Sequence, residues 1–438
     1  MAIYATETAA GSIPEVVPAT SRVYPWIVFG IIFGLLLSDY MSRQVLNAVF
    51  PLLKIEWGLS DTQLGSLAGV VALLTGLLTF PLSLAADRLG RVRSIALMAV
   101  LWSVATLVCA LASNYHEMFF ARFLVGVGEA AYGSVGVALV LSMFPPGMRS
   151  SLTGLFMAGG AFGSVFGMAF GGALAVRFGW RWAFGGMAAF GGMLVLLYAI
   201  VVTEQRIGGH GGSRAARATR APIALPTLLG RLFSSVSVIC AYVGSGLQLF
   251  IMAALIAWLP SYFNRYAGMA PDRAGLTAGL FVLVGAAGMI GCGIATDRLA
   301  RHDPSRKWVM AIVYCVLTAI FLAAAFRTGI GWPQMVLLAL GMFFAAGTAG
   351  PAGAMVANLT PVAVHATAFA TLTIANNLLG LAPGPFLTGF VADRIGLLGA
   401  LQWVPMAALA ATAAFWIGRR FYASDLMRIA AWRESVGD

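Results

Sequence analysis

The chain alternates between long apolar stretches and short polar segments. Each apolar stretch has about 20 residues or more, the length that a helix needs to cross the hydrocarbon core of a bilayer. We therefore predict twelve membrane-spanning helices, spans 1 to 12, at residues 24–49, 62–84, 94–112, 117–143, 150–176, 181–202, 231–259, 274–296, 308–326, 333–357, 365–391 and 398–418. The fold class that follows is an all-α membrane protein.

The composition agrees with this class. Hydrophobic residues make up 60% of the chain and charged residues 10%, and the mean hydropathy is +0.89. Soluble domains have about 25% charged residues. The N-terminal segment contains Glu7 and Glu15 and has no basic region before an apolar core, so we predict no cleaved signal peptide.

Enzyme and cofactor chemistry are not indicated. The four cysteines, Cys109, Cys240, Cys292 and Cys315, lie in apolar spans without metal-ligand spacing. The chain has no glycine-rich phosphate loop and no nucleophile motif. We therefore predict neither an enzyme nor an ATP-driven pump, and we expect no metal or cofactor.

The basic residues predict the orientation in the membrane. If the N-terminus is cytoplasmic, 18 Lys and Arg residues lie on the cytoplasmic side and 8, among them Arg122, on the other side. The positive-inside rule then places both termini in the cytoplasm. The net charge of +11 belongs to loops that face anionic lipid, so no nucleic-acid partner is needed. Because 25 of the 27 basic residues are Arg, as in proteins from GC-rich bacterial genes, we predict a bacterial inner-membrane protein.

A basic, glycine-rich segment at residues 203–230 interrupts the spans and is typical of a flexible linker. We therefore divide the chain into an N-terminal tail, a first six-helix bundle, the linker, a second six-helix bundle and a C-terminal tail, at residues 1–23, 24–202, 203–230, 231–421 and 422–438.

The two bundles contain matching segments. Residues 83–90 match 293–300 at an offset of 210, and residues 172–179 match 389–396 at an offset of 217. Two pairs at nearly one offset indicate duplication of a six-helix unit. Such repeats are typical of secondary transporters, whose substrate site lies between the repeats at mid-membrane.

Three charged residues lie inside apolar spans: Asp39 and Arg43 in span 1, and Glu129 in span 4. Each costs roughly 2.5–3.5 kcal/mol at membrane depth, so such residues usually face a cavity and have a function. Asp39 and Arg43 are one helical turn apart and share a face. Arg43 lies about 12 Å below Pro51, and Glu129 about 10 Å below Arg122, so we expect Arg43 and Glu129 to meet.

These three residues are our candidates for the transport chemistry. Arg43 would hold an anionic substrate group or the Glu129 carboxylate, because its guanidinium is always charged and binds in a bidentate manner. Glu129 would exchange a proton, with Asp39 as a second proton-coupling candidate. The alternative is a static buried ion pair. We favour a function because buried pairs are weak stabilisers.

The residues around the second loop resemble a known family. Residues 87–93, DRLGRVR, resemble the loop signature of the major facilitator superfamily, with Ser83 where the signature usually has Gly. Arg122, Gly126 and Gly128 resemble its motif in the fourth helix. This resemblance implies two pseudo-symmetric six-helix bundles and transport by alternating access.

A finer resemblance is to the spinster-like branch of that family. It rests on residues 40–43 (YMSR), 128–130 (GEA), 179–184 (GWRWAF), 258–260 (WLP) and 384–385 (GP). This branch usually has Asp directly before the Arg of the first helix. Here that position is Ser42, and Asp39 lies one turn earlier. The anion:cation symporter branch shares Arg43 and Glu129 and is a close competitor.

The family resemblance also implies gating residues. Asp87 would cap the positive N-terminal end of a helix in the second bundle and close the inner gate in the outward-facing state. The further gating candidates are Arg91, Arg149, Asp297 and Arg298. The alternative for these exposed charges is ordinary positive-inside topology.

Uncharged polar residues supply further substrate-binding candidates: Tyr132, Gln248, Asn358, Asn376 and Asn377. We expect Tyr132, one turn after Glu129, to face the same cavity. Hydrogen bonding between helices is the alternative for the amides. Charge in the first bundle and apolar or amide groups in the second would suit an amphipathic substrate.

We therefore predict a monomeric, proton-coupled secondary active transporter in contact with membrane lipid. Its substrate would be an amphipathic anion such as a lysophospholipid or sphingolipid-like molecule, as the spinster resemblance implies. The alternatives are a proton symporter of small organic anions such as sugar acids, a multidrug exporter, and a receptor that does not transport. An apolar cavity wall in the second bundle would favour the amphipathic substrate, and a second Arg or Lys there would favour a dianion.

Overall fold

The structure, a computed structural model, describes residues 23–207, 235–360 and 365–436. Within these ranges the regular structure is helical throughout. The α-helices, in chain order, are α1 Tyr24–Trp57, α2 Asp61–Leu89, α3 Arg91–Leu111, α4 Tyr115–Glu129, α5 Tyr132–Met143, α6 Arg149–Phe178, α7 Trp180–Val201, α8 Glu204–Ile207, α9 Val236–Ala267, α10 Pro271–Leu299, α11 Arg306–Ala325, α12 Trp332–Ala346, α13 Ala349–Asn358, α14 His365–Asn376, α15 Pro383–Trp403 and α16 Met406–Val436. A π-helical turn, Asn377–Leu381, joins α14 to α15.

The predicted membrane fold is confirmed. In the described ranges, ten helices are long and apolar enough to span a bilayer, if α4 with α5 and α12 with α13 each count as one span. The remaining run contains α14, α15 and α16 and is bent by 46°. Its backbone is non-helical at Gly396, with φ 79° and ψ 158°. Gly396 therefore separates predicted span 11 from predicted span 12.

Several helices extend further than predicted, and α16 continues to Val436 through the segment predicted as a C-terminal tail at residues 422–438. We expected spans 1 and 7 to end at residues 49 and 259, but α1 continues to Trp57 and α9 to Ala267. Each helix continues past an internal proline, Pro51 or Pro260. Neighbouring helices can satisfy the backbone groups that a proline frees in a membrane helix. Arg43 therefore lies about four turns, or about 21 Å, from the end of α1.

The internal repeat is visible in the backbone angles. Gly58 and Gly268 end α1 and α9 with φ 64° and 63°, a left-handed conformation that favours glycine, and they are related by the offset of the first pair of matching segments. Gly179 and Gly396 have φ 91° and 79° with the same ψ of 158°, and they are related by the offset of the second pair. The backbone therefore supports duplication of one unit.

The two bundles pack closely at the end of the molecule that holds Trp57, which we call the outer end. We call the opposite end, which holds Leu89, the inner end. A Cβ atom added at Gly65 of α2 would collide with the Pro385 carbonyl of α15. A Cβ at Gly275 of α10 would likewise collide with a carbonyl of α6. Glycine thus permits backbone contact between the bundles.

Candidate functional site

The three charged residues predicted inside the membrane meet in the first bundle. The Nε atom of Arg43 lies 2.5 Å from Oε2 of Glu129 and 3.9 Å from Oδ1 of Asp39. Asp39 and Glu129 are 3% and 2% exposed, whereas the Arg43 side chain is 20% exposed. The expected contact between Arg43 and Glu129 is therefore present, and Arg43 is the member that reaches open space.

Glu129 lies at a break in the helix. It is the last residue of α4, and α5 begins after a turn at Ala130 and Ala131. The Thr79 hydroxyl of α2 donates to the Ala130 carbonyl at 2.7 Å. At Gly128, a Cβ would collide with the backbone of Trp102 in α3. The break and this close approach hold the carboxylate against α1.

The corresponding position of the second bundle is also broken. The turn at Gly347 and Thr348 separates α12 from α13. Gly347 lies 217 residues after Ala130, which is the offset of the second pair of matching segments. The break is thus a feature of the repeated unit, but the glutamate occurs in the first bundle alone, since Ala346 occupies the matching position.

The structure corrects the placement of Arg122. We had counted Arg122 among the basic residues of the outer surface, but it is 1% exposed. Its guanidinium donates to the carbonyl oxygens of Leu67 at 3.3 Å and Ser42 at 3.0 Å. The reason is that α4 begins at Tyr115, so Arg122 lies two turns inside the helix. Glu129 follows Arg122 by seven residues, or two helical turns, so the two side chains lie on the same face of α4. This spacing in the sequence could have indicated that Arg122 is buried near Glu129.

A cavity of about 110 Å³ lies between the two bundles beside Arg43. Its wall in the first bundle contains Arg43, Gln44, Asn47, Ala68, Val71, Ala72 and Arg122. Its wall in the second bundle contains Ala253, Ile256, Ala257, Leu381 and Pro385. The cavity is thus cationic and polar on one side and apolar on the other.

Asn47 and Gln44 were not among the predicted site residues. The Asn47 amide donates to Oε1 of Gln44 at 2.6 Å and to the Ile256 carbonyl of α9 at 3.5 Å. Oδ1 of Asn47 is buried and has no hydrogen-bond partner among the described residues. This oxygen is an acceptor that a substrate hydroxyl or amine could use. Asn47 lies one helical turn after Arg43, and this spacing in the sequence could have identified Asn47 as a site residue.

Tyr132 does not face the cavity, contrary to our expectation. It is fully buried, and its hydroxyl donates to the Ile32 carbonyl at 2.6 Å. Its ring packs edge-on against Trp102. The break after Glu129 rotates α5 relative to α4, so the one-turn spacing from Glu129 does not place the two side chains together.

The four amide candidates of the second bundle lie at separate places. Gln248 is buried beside the Cys315 thiol of α11. Asn358 contacts Tyr422 of α16 at the inner end. Asn376 and Asn377 lie at the π-helical turn, where the Asn377 side chain packs against Gly76 of α2. The structure therefore does not bring these amides together with Arg43.

The gating candidates lie at the inner end. Asp87, Arg149, Asp297 and Arg298 are exposed. Arg91 is half-buried and donates to the Ala138 carbonyl of α5 at 3.4 Å. A cavity of about 450 Å³ lies between α2, α5 and α14, lined by Thr79, Phe80, Ser83, Ser134, Thr367, Phe369, Ala370, Thr373 and Ile374. The inner end therefore has a cleft between the bundles.

Charged contacts close the outer end. The Arg265 guanidinium of α9 binds both oxygens of Asp61 in α2, at 2.9 and 2.7 Å. Lys54 of α1 lies 2.7 Å from the same carboxylate. The Asp393 carboxylate of α15 accepts hydrogen bonds from the backbone N–H groups of Asp61 and Thr62, at 2.7 and 2.9 Å. We call these five residues the outer latch.

The outer latch joins the two bundles through a helix terminus. Asp61 and Thr62 are the first residues of α2, whose N–H groups have no partner within the helix. A carboxylate at a helix N-terminus also interacts favourably with the helix dipole. No sequence signal had pointed to Asp61 or Asp393 as partners.

Within the three described ranges, no three side chains of His, Cys, Asp or Glu converge.

The chain belongs to the Major Facilitator Superfamily, since the model of that family matches residues 32–380. It is therefore a multi-pass membrane transporter. It is 23% identical over 380 residues to the hexuronate transporter of Bacillus subtilis (strain 168), in a match that covers 85% of this chain and 88% of that protein. It is 24% identical over 393 residues to protein spinster homolog 1 of Xenopus laevis, over 84% and 73% of the two chains.

A solved structure shares the fold. It is the crystal structure of a bacterial homolog to the human lysosomal transporter Spinster in an inward-facing and unoccupied conformation. The TM-score is 0.81 at 19% sequence identity, and the match covers 93% of this chain and 99% of that chain. Both resemblances predicted from the sequence, to spinster-like proteins and to transporters of sugar acids, are thus found among the relatives.

Proposed function

We propose that this protein is a proton-coupled carrier of an amphipathic organic anion and works by alternating access. The observation that carries this proposal is the pairing of Arg43 with Glu129 at the edge of the cavity between the bundles. A carboxylate or phosphate group of the substrate would occupy the cavity, and its apolar part would lie against the wall formed by Ala253, Ile256 and Leu381. Both termini would be cytoplasmic, as the positive-inside rule predicts.

Competition for Arg43 would couple the proton to the substrate. Arg43 cannot give its full bidentate face to a substrate anion while it is paired with Glu129 at 2.5 Å. A substrate anion would draw the guanidinium away, and an ionised Glu129 would then be buried without a partner. Such a charge is strongly unfavourable, so Glu129 would take up a proton as the substrate binds. Asp39 would keep Arg43 near the site during this exchange.

Arg122 supports an anionic substrate over a neutral one. It adds a second positive charge to the same cavity wall, and its guanidinium is partly used by two backbone carbonyls. With Asp39 and Glu129 ionised, the buried cluster is neutral. Protonation of one acid would leave a net positive charge, which an anion would balance.

A small carboxylate is the second candidate. The cavity volume of about 110 Å³ suits a group of a few heavy atoms, and the hexuronate transporter of Bacillus subtilis is a relative. The apolar wall of the second bundle favours the amphipathic anion, because it offers no second cationic group.

A thermal-shift screen of the purified protein would test the proposal. Lysophospholipids, sugar acids and aromatic carboxylates would be compared, because a ligand that binds the native state raises the melting temperature. We expect stabilisation by an amphipathic anion in the parent protein and its loss in Arg43→Ala. Stabilisation by neutral analogues alone, or an equal response of Arg43→Ala, would contradict the proposal.

A further inference from the structure

A second polar cavity lies at the inner end of the second bundle, remote from Arg43. It has a volume of about 360 Å³ and lies between the end of α10, the start of α11 and α16. We call it the rim pocket; its lining residues are Leu299, Asp303, Ser305, Arg306, Val309, Met310 and Arg419.

A buried aromatic contact fixes the shape of the rim pocket. The Trp308 ring is fully buried and packs against Phe415, with ring centroids 6.2 Å apart. Gly418 permits this packing, since a Cβ there would collide with the indole. Arg306 lies just before Trp308 in the chain, and Arg419 follows Gly418 directly. The packing of α11 on α16 therefore holds the two arginines on one rim.

The lining of the rim pocket has two arginines and one acid, and the loops around it add further positive charge. The backbone N–H of Ser305 donates to Asp303 at 2.9 Å. Hydrogen bonds from Ser305, with Arg306 and Arg419 nearby, hold the pKa of Asp303 below its usual value, so Asp303 stays ionised and offsets one arginine. Residues 297–307 with Arg419 and Arg420 contain six basic and two acidic side chains, a net charge of +4.

The position of the rim pocket suits a phospholipid. Leu299, Val309 and Met310 supply the apolar part of the lining, and Leu299 is 51% exposed. Val309 and Met310 lie about one turn further along α11 than Arg306. Trp416 is 47% exposed, and the Arg420 guanidinium stacks on its ring at 3.9 Å. Half-exposed tryptophans of this kind are typical of the membrane–water interface.

We propose that the rim pocket binds the phosphate head group of an acidic phospholipid from the leaflet at the inner end. The guanidinium groups of Arg306 and Arg419 would bind the phosphate oxygens. The acyl chains would cover Leu299 and Met310. Basic pockets between membrane helices are suitable sites for anionic head groups. The proposal does not depend on the substrate of the central cavity.

Binding of dansyl-labelled phosphatidylglycerol to the purified full-length protein in detergent would test this site, read by energy transfer from tryptophan. The test variant is Arg306→Gln with Arg419→Gln. The matched control is Arg301→Gln with Arg420→Gln, which removes the same charge from the same end of the second bundle but leaves the pocket lining intact. At about 1 kcal/mol for each arginine, we expect roughly 30-fold weaker binding in the test variant. We expect little change in the control.

Three results would overturn the proposal. Equal weakening of both variants would mean that diffuse surface charge attracts the lipid. Equal binding of dansyl-labelled phosphatidylcholine would exclude recognition of an acidic head group. Displacement of the label by inorganic phosphate as effectively as by unlabelled phosphatidylglycerol would indicate a site for a free anion. The Arg306 side chain is 59% exposed, so its substitution should not affect folding. Unchanged melting temperatures would verify that both variants fold.

Discussion

At the scale of single residues, the site is organised around Arg43, which contacts both buried acids and also lines the cavity. Removing one partner of a buried ion pair typically costs about 3–5 kcal/mol, because the other charge remains unpaired. Substitutions that keep the charge or the shape of these side chains are therefore more informative than substitutions to alanine.

Glu129→Gln should abolish substrate accumulation driven by a pH gradient but leave substrate exchange intact. The amide keeps the shape of the carboxylate and cannot carry the proton. Uptake and counterflow would be measured in proteoliposomes, with the ligand found by the thermal-shift screen. Glu117→Gln is the matched control, since Glu117 lies in the first turn of the same helix and bonds to Ser113 and Asn114 locally. Undiminished gradient-driven uptake by Glu129→Gln would transfer the proton role to Asp39.

Arg43→Lys should weaken substrate binding sharply although the charge is kept. Lysine has no planar fork, so bidentate contacts to a carboxylate or phosphate are lost. The loss of one charge-assisted hydrogen bond, worth about 1.5–3 kcal/mol, would lower the affinity roughly 10- to 100-fold. Substrate affinity and melting temperature would be measured together. The control is Arg181→Lys, because Arg181 forms an ion pair with Glu56 at the surface. Normal affinity with reduced stability would make Arg43 a structural residue.

The contact between Arg43 and Glu129 could be predicted because charge is rare inside apolar spans and both residues had compatible depths. Arg122 was misplaced because its depth was read from hydropathy rather than from its two-turn spacing to Glu129. Hydropathy locates a span but leaves its first turn uncertain, and Arg122 lay little more than one turn inside the predicted start of span 4. Tyr132 was misplaced because helical spacing applies only while the helix is continuous.

At the scale of elements, four of the described helices, α1, α2, α6 and α9, end at a glycine with a positive φ. The ends at Gly58 and Gly268 follow from this residue type. The break between α4 and α5 has no such signal, because Ala130 and Ala131 favour a helix. A hydroxyl of another helix, Thr79, satisfies the freed carbonyl there. The break therefore depends on contacts with other helices, which the helix propensities of the residues in α4 and α5 cannot predict.

Asp393→Asn should weaken the outer latch and shift the protein toward states that are open at the outer end. The amide loses the charge at the N-terminus of α2 and one of its acceptor oxygens. Because Asp393 is exposed, we expect a loss of about 1–2 kcal/mol, which changes a two-state ratio roughly 5- to 30-fold. Labelling of a cysteine at Ala68, in the cavity wall, by a maleimide that cannot cross the membrane should rise accordingly.

Glu117→Gln serves as the control for this experiment too, because it removes an outer-end carboxylate whose contacts stay within the first bundle. If Asp393→Asn left the labelling rate at the parent value, the outer latch would be a consequence of closure and would contribute nothing to it.

At the scale of the whole molecule, the two-bundle architecture could be predicted from the repeat, but the conformational state could not. The outer end is closed by the outer latch, and the inner end has a cleft lined by α2, α5 and α14. Two states of a carrier differ by only a few kcal/mol, so one sequence encodes both. The contacts that distinguish them involve residues such as Asp61 and Arg265, which are far apart in the chain and unremarkable in its pattern.

The outer latch suggests how the opposite state is held. Asp393 and Arg394 precede Gly396 with the same spacing by which Asp87 and Arg88 precede Gly90. Asp393, three residues before the non-helical Gly396 in α15, caps the N-terminus of α2. Asp87, at the end of α2, is predicted to cap a second-bundle helix at the inner end when that end closes. The two aspartates would then stabilise opposite states of one equilibrium.

Combining the two substitutions tests this relation. Asp87→Asn alone should lower outside labelling of a cysteine at Ala68, since it weakens the state that is open outward. The two sites lie at opposite ends of α2, about 40 Å apart, so their effects should add. The double variant Asp87→Asn with Asp393→Asn should therefore label at nearly the parent rate, because two destabilisations of similar size cancel in the ratio of states.

Labelling of the double variant at the rate of Asp393→Asn alone would show that Asp87 has no part in the gate. Its position at the end of α2 would then reflect membrane topology.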